Sequence, residues 1–183
     1  MKVLGASAGA ITWLNEWVGR ITAHLVLFMF VFLFVEVLLR YFFRAPSNWT
    51  GELSQLIFGV YALLGGGYLL ISNGHVNVDL IYGRWSRRTR AAVDIATSVL
   101  FFVFIVVLLW QGWSLAADSV ARWERSQSAW NPPVWPVKVM IPVSAALLLL
   151  QGLVKLANDI LIVAGREPIV PDAKPHDGAG DTL

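Results

Sequence analysis

Four long apolar stretches separate short polar segments along this 183-residue chain. The clearest stretch runs from Leu53 to Gly74 without a charged side chain, and the other three centre on residues 25–39, 95–117 and 139–154. At ~1.5 Å rise per residue, a helix of about 20 residues crosses the ~30 Å hydrocarbon core of a bilayer. The pattern therefore predicts an all-α membrane protein with four transmembrane helices, which span about 17–42, 49–73, 91–117 and 137–164.

Two acid–base pairs bracket the first predicted helix. Glu16 lies four residues before Arg20, and Glu36 lies four residues before Arg40. Both pairs have the order that favours an ion pair on a helix. We therefore expect each pair to form within the first helix.

The second predicted helix has a defined start and a row of small residues. The turn at 45–48 precedes it, and Ser47 or Asn48 of that turn can cap its amide groups. Glu52 lies in its first turn, where the helix dipole stabilises an anion. Further along are Gly65, Gly66 and Gly67. Small residues at these positions allow a neighbouring helix to approach closely.

Basic residues indicate the orientation in the membrane. The strongest basic cluster follows the second helix, and the positive-inside rule places it in the cytoplasm. With four spans, both termini are then cytoplasmic. A polar, tryptophan-containing segment at 118–130 is predicted to be an amphipathic interfacial segment on the outer membrane surface, between the third and fourth helices. Expected anchors at the membrane interface are Trp13, Trp17, Arg84, Trp85, Arg87, Arg88, Trp123 and Trp130.

The composition excludes several classes of protein. Hydrophobic residues make up 57% of the chain and charged residues 14%, against about 25% charged in a soluble domain. Residues 1–166 form the predicted transmembrane domain and 167–183 a flexible cytoplasmic tail, which leaves little room for a soluble catalytic domain. The net charge is only +2 and no cysteine is present. Nucleic-acid binding, thiolate metal sites and a cysteine nucleophile are therefore not expected.

The histidines leave one alternative open. His75 and Asp79 are four residues apart, but a zinc site takes about three or four protein ligands and no third candidate lies nearby. We therefore expect no metal there. His24 and His75 on the first two helices would ligate a haem if they faced each other, as in a membrane anchor of a redox enzyme. A free-standing exporter with four spans is a third possibility.

Several short motifs in a fixed order give a family resemblance. They are Leu-Arg-Tyr-Phe at 39–42, Trp-Thr-Gly-Glu at 49–52, Leu-Gly-Gly-Gly-Tyr at 64–68 and Gly-His-Val-Asn-Val-Asp at 74–79. With these motifs the chain resembles, from about Trp13 to Arg166, the small membrane subunit of tripartite ATP-independent periplasmic (TRAP) transporters. This subunit is the Q or DctQ-like component.

The resemblance implies a transport function without catalysis or a cofactor. A small subunit of this kind lies in the bacterial inner membrane among phospholipids and binds a large membrane subunit of about twelve helices. That large subunit holds the substrate and sodium sites, and a periplasmic substrate-binding protein delivers an organic acid to it. The small subunit is expected to scaffold the large one and to help dock the binding protein.

The resemblance also suggests which residues contact the partner. Gly65, Gly66 and Gly67 would allow close packing against the large subunit. Arg40, Trp49 and Glu52 would lie at the outer end, where they hold the partner or each other. His75 and Asp79 would do the same at the inner end.

Overall fold

A computed structural model describes residues 2–71 and 86–169. These residues form five helices and, within the described ranges, no strand. The helices are α1 (Lys2–Ala23), α2 (Leu25–Tyr41), α3 (Thr50–Ile71), α4 (Arg87–Ala121) and α5 (Trp135–Val163). The predicted all-helical fold class is confirmed for this part of the chain.

Helices α3 and α5 occupy the middle of the bundle. Helix α3 packs against α1, α2 and α5, and the most extensive contact between two helices is that of α4 with α5. The helices therefore form a row in which α1 and α2 lie on one side of the α3–α5 pair and α4 lies on the other.

Three segments are long and apolar enough to cross a membrane. They are Ala6–Tyr41, Arg88–Ala121 and Trp135–Val163, found among the described residues. Helix α3 has 22 residues, about 33 Å of helix, but it is not among the three. The fourth predicted span and the orientation of the termini therefore remain proposals.

The first helical region begins earlier than the sequence suggested. Helix α1 starts at Lys2 and is separated from α2 by a break at His24, whose Nδ1 donates to the Arg20 carbonyl oxygen at 2.8 Å. The predicted helix at about 17–42 corresponds to the end of α1 and to α2. Residues 2–12 are mostly small and not strongly hydrophobic, so hydropathy alone did not mark them as helical.

The predicted amphipathic segment at 118–130 is a folded loop for most of its length. Helix α4 continues to Ala121, and residues 122–134 connect it to α5. Trp123 and Asn131 have left-handed backbone angles, with φ of 47° and 51°. The Trp123 ring packs edge to face on Trp135, with 5.6 Å between ring centroids. Most of the predicted tail, residues 170–183, lies outside the described residues.

The bundle is packed with small and polar residues inside and large apolar residues outside. The exposed fraction is 79% for Phe42, 75% for Leu100 and Trp110, and 66% for Phe30. A soluble protein would bury such contiguous apolar surface, whereas contact with lipid removes it from water. Buried polar residues among those described are Thr12, Asn15, Thr22, Thr50, Ser54, Ser119, Ser144 and Gln151.

Helix α1 meets α3 along a row of small side chains that centres on Gly19. Buried residues on α1 recur at alternating spacings of four and three: Ala8, Thr12, Asn15, Gly19 and Thr22. A Cβ atom on Gly19 would lie 2.5 Å from the Cβ atom of Tyr68. That atom is at the root of the tyrosine side chain, so it cannot move away without a shift of α3. The close contact of α1 with α3 thus requires glycine.

We expect Gly19→Ala to lower the stability of the protein by about 1–3 kcal/mol through overpacking. The measurement is the thermal unfolding midpoint of the purified protein in one detergent. The matched control is Gly9→Ala on the same helix, because no atom lies within 4 Å of a Cβ placed there. That substitution should be neutral or stabilise the helix by up to about 1 kcal/mol. Equal effects of the two substitutions would contradict the packing described.

Candidate functional site

Glu36 is the centre of a polar cluster that joins the end of α2 to the start of α3. Its Oε1 accepts from Nη2 of Arg40 at 2.6 Å. Its Oε2 accepts from the Ser47 hydroxyl at 2.7 Å, the Ser47 amide at 3.2 Å and the Thr50 hydroxyl at 2.6 Å. The side chain is only 12% exposed. Four donors on one carboxylate fix the turn between the two helices.

Two predictions for this cluster are confirmed, and one expectation is corrected. The Glu36–Arg40 ion pair forms, and Ser47 caps α3 by accepting from the Thr50 amide at 3.3 Å. We expected Arg40 and Glu52 to hold either the partner or each other. In the structure these two side chains do not pair with each other. Glu36 lies one helical turn from Arg40 and takes its guanidinium, while Glu52 bonds to Ser128 in the loop at 122–134.

A second set of contacts holds the loop at 122–134 against α3. The Ser128 hydroxyl donates to Oε2 of Glu52 and accepts from the Asn131 amide at 3.1 Å. The Trp49 ring lies between two other rings, with centroid distances of 6.0 Å to Phe32 and 6.4 Å to Trp130. One carboxylate and a chain of three aromatic rings thus connect α2, α3 and the loop at 122–134.

The loop also closes on the start of α5. Nζ of Lys138 donates to both carboxylate oxygens of Glu124 at 2.6 Å, and the Val134 amide donates to the Glu124 carbonyl at 3.0 Å. The Lys138 ammonium holds the pKa of Glu124 below its usual value. The pair therefore stays ionised at neutral pH and fixes the base of the loop.

The structure separates the three glycines of α3. A Cβ on Gly66 would lie 3.4 Å from Cδ1 of Leu148, so Gly66 faces α5 of its own chain. Gly65 has no atom within 4 Å of such a Cβ and lines a groove between α1 and α3. Gly67 also belongs to α3. Of Gly65 and Gly66, only Gly65 is open to a neighbour outside the chain.

At the other end of the bundle, Lys155 holds α4 and α5 together. Its Nζ donates to Oδ2 of Asp94 at 2.6 Å and to Oδ2 of Asp159 at 3.3 Å. Lys155 and Asp159 are four residues apart, the spacing of two side chains that meet on one helix face. Asp94, by contrast, is 61 residues away from Lys155 in sequence. The three side chains line a cleft of about 170 Å³.

Comparison with known proteins identifies the family. The family model described as "Tripartite ATP-independent periplasmic transporters, DctQ component" matches residues 12–161. The chain belongs to the DctQ family. The resemblance inferred from the sequence motifs is thereby confirmed, and the protein is the small membrane component of a TRAP transporter.

A curated relative of this DctQ chain agrees with the assignment. It is the "Sialic acid TRAP transporter permease protein SiaT" of Haemophilus influenzae (strain 86-028NP), which is 28% identical over 96 residues. The match covers 52% of the DctQ chain and 15% of the relative. The chain therefore spans only a small part of that protein's length.

Some predicted DctQ site residues fall where the structure gives no description. His75, Asp79, Arg84 and Trp85 lie outside the described residues, and their proposed roles remain predictions. Arg87 begins α4. Within the ranges 2–71 and 86–169, no group of three histidine, aspartate or glutamate side chains is placed to hold a metal ion.

The remaining predicted interface anchors have exposed side chains. Trp13 and Trp17 are 63% and 52% exposed and stack with 6.4 Å between ring centroids. Trp123 and Arg88 are also exposed, while Trp130 packs on Trp49. Exposure is compatible with lipid anchoring, which stays a proposal for each of them.

Proposed function

We propose that this DctQ-family protein is a non-catalytic scaffold for the large membrane subunit of a TRAP transporter in the bacterial inner membrane. The observation that carries the proposal is the family match over residues 12–161. Large apolar side chains lie on the outside of the bundle, whereas a soluble protein would bury them, and this supports a membrane location. The polar contacts that fix α2, α3 and the loop at 122–134 support a rigid, structural role.

The finer parts of the proposal concern topology and transport. We propose four spans with both termini in the cytoplasm, so that the loop at 122–134 lies on the periplasmic side beside the substrate-binding protein. Transport of an organic acid driven by sodium is proposed for the whole transporter. The name of the SiaT relative, a sialic acid transporter, supports this substrate class.

Reconstitution tests the proposed function. Liposomes would contain the large membrane subunit with or without this chain, together with the soluble binding protein and its radiolabelled organic acid. We expect uptake only when all components and an inward sodium gradient are present. Equal uptake without this chain would contradict the scaffold role. Equal uptake after sodium is replaced by potassium would contradict the proposed coupling ion.

Two substitutions of Glu52 distinguish a structural role of this residue from a direct electrostatic role in assembly. Glu52→Ala removes the acceptor for the Ser128 hydroxyl, so the loop at 122–134 loosens from α3. We expect the loss of about 1–2 kcal/mol of stability and reduced assembly with the large subunit. The readouts are thermal unfolding and the amount of large subunit that co-purifies.

The matched variant Glu52→Gln keeps an acceptor oxygen but removes the charge. If Glu52 acts through Ser128, this variant should assemble like the native chain. If it fails as Glu52→Ala does, the carboxylate charge itself contacts the partner. Normal assembly and uptake in both variants would show that Glu52 has no role in binding the large subunit.

The haem-anchor alternative has a direct spectroscopic test. It requires His24 and His75 to face each other, and His75 lies outside the described residues. A Soret band in the visible spectrum of the purified protein would support it. A protein without that band, purified with haem supplied during expression, would exclude it. The exporter alternative predicts transport by this chain alone in liposomes.

A further inference from the structure

The cleft between α4 and α5 has charged groups at one end and aromatic rings at the other. Its volume is about 170 Å³, and its charged lining residues are Asp94, Lys155 and Asp159. Phe101 and Phe102 also line it, about two turns of α4 beyond Asp94. Residues seven and eight positions apart lie on the same face of a helix, so the polar and apolar parts of the cleft follow each other along α4.

The polar end of the cleft lies at the edge of the apolar part of both helices. Asp94 directly precedes the uncharged stretch 95–117 of α4, and Lys155 directly follows the uncharged stretch 139–154 of α5. In a membrane-spanning helix, such an edge lies where the hydrocarbon core meets the lipid headgroups. The two phenylalanine rings are about 10 Å further along α4, at the level of the acyl chains.

The groups at the polar end are arranged to accept hydrogen bonds. The Thr97 hydroxyl donates to the carbonyl oxygen of Val93 at 3.0 Å, and the Ser98 hydroxyl donates to that of Ile95 at 2.7 Å. Both hydroxyls line the cleft, and each has one hydrogen, so its oxygen can only accept from a ligand. The Asp94 side chain, which is 29% exposed, is also an acceptor when ionised.

The charges in the cleft favour a cation. Its lining residues carry two negative charges and one positive charge. Asp94 uses Oδ2 to accept from Lys155, but a carboxylate has about four lone-pair sites and can take a second donor. A ligand that suits this end therefore has a positive charge and several hydrogen-bond donors.

We propose that the cleft binds a phospholipid with a primary-amine headgroup, whose ammonium donates to Asp94, Thr97 and Ser98 and whose acyl chain lies along Phe102. A primary ammonium has three N–H donors, which match the three acceptors. An anionic headgroup would be repelled by the carboxylates, and a quaternary ammonium has no N–H to donate. A small soluble amine would leave the aromatic end unfilled. This proposal goes beyond the scaffold function and does not depend on it.

Native mass spectrometry of the full chain tests the choice of headgroup. The delipidated chain in detergent is mixed with phosphatidylethanolamine, its N-methylated derivatives, phosphatidylcholine or phosphatidylglycerol, all with the same acyl chains. We expect about tenfold more retention of phosphatidylethanolamine than of phosphatidylcholine, with a decrease at each methylation because each methyl group replaces one donor. Equal retention of these two lipids, or greatest retention of phosphatidylglycerol, would overturn the proposal.

Substitutions test whether the lipid is bound in this cleft. Asp94→Asn should lower the ratio of phosphatidylethanolamine to phosphatidylcholine about tenfold, because it removes the charge-assisted bond. Thr97→Val keeps the side-chain shape, removes one neutral acceptor and should lower the ratio about threefold. The matched control is Asp118→Asn near the other end of α4, where the carboxylate is 69% exposed, and its ratio should equal that of the native chain.

The ratio of two lipids within one variant does not depend on the stability of that variant. If Asp94→Asn does not fold because its ion pair with Lys155 is lost, Thr97→Val decides the question. A native ratio in the folded variants would place the lipid elsewhere and overturn the proposal.

Photocrosslinking in native membranes distinguishes lipid from protein in the cleft. A photoreactive phenylalanine derivative replaces Phe102, or replaces Phe104, which is 64% exposed on α4 and serves as the lipid-facing control. We expect adducts with an amine phospholipid at position 102. Adducts at this position with protein only, either the large subunit or a second copy of this chain, would overturn the proposal. The same holds if position 104 gives lipid adducts and position 102 gives none.

Discussion

Glu36→Ala should detach the end of α2 from the start of α3 and cause one of the largest losses of stability in the protein. The carboxylate accepts four hydrogen bonds from Arg40, Ser47 and Thr50. A hydrogen bond to a charged group contributes about 1.5–3 kcal/mol, and a buried donor left without a partner adds a further penalty. Because the four bonds share one group, we expect a total loss of about 3–5 kcal/mol, less than their sum.

Thermal unfolding in detergent measures this loss. For a chain of this size, a change of about 3–5 kcal/mol lowers the midpoint by roughly 6–20 °C. The control is Asp118→Ala, which breaks an ion pair with Arg122 whose side chains are 69% and 73% exposed. Such exposed pairs contribute little, so the control midpoint should hardly move. Similar shifts in the two variants would show that Glu36 is not the centre of the cluster.

Lys155→Met should have the second large effect, at the opposite end of the bundle. Without the ammonium, the carboxylates of Asp94 and Asp159 lose their shared partner. Breaking a fully buried ion pair costs about 3–5 kcal/mol. The Lys155 side chain is 34% exposed, so we expect about 2–3 kcal/mol. Helices α4 and α5 should separate more easily as a result.

A second substitution distinguishes charge from packing. Adding Asp94→Asn to Lys155→Met removes one of the two unpaired carboxylates and should recover part of the lost midpoint. Arg122→Ala, which breaks the exposed Asp118–Arg122 ion pair from its other side, serves as the control. If the double variant is as unstable as the sum of the single ones, Lys155 acts through the packing of its methylene groups and not through the ion pairs.

The features that could be predicted from the sequence are those set by neighbours along the chain. The pairs Glu36–Arg40 and Lys155–Asp159 follow from a four-residue spacing on a helix. The cap by Ser47 follows from its place before α3. The membrane class follows from long apolar stretches, because their length and composition are read directly.

The features that could not be predicted depend on how distant segments meet. Glu36 collects donors from 11 and 14 residues away, and Glu52 meets Ser128, 76 residues on. A run of three glycines does not show which of them faces a neighbour. That distinction requires the position of Leu148 on α5.

Gentle co-purification tests the central claim most directly. The chain would be tagged, extracted in a detergent that is shown to preserve membrane complexes, and analysed by mass spectrometry. The scaffold account predicts a stoichiometric membrane protein of about twelve spans bound to it. Recovery of this chain alone, under conditions in which a known membrane complex survives, would contradict the account.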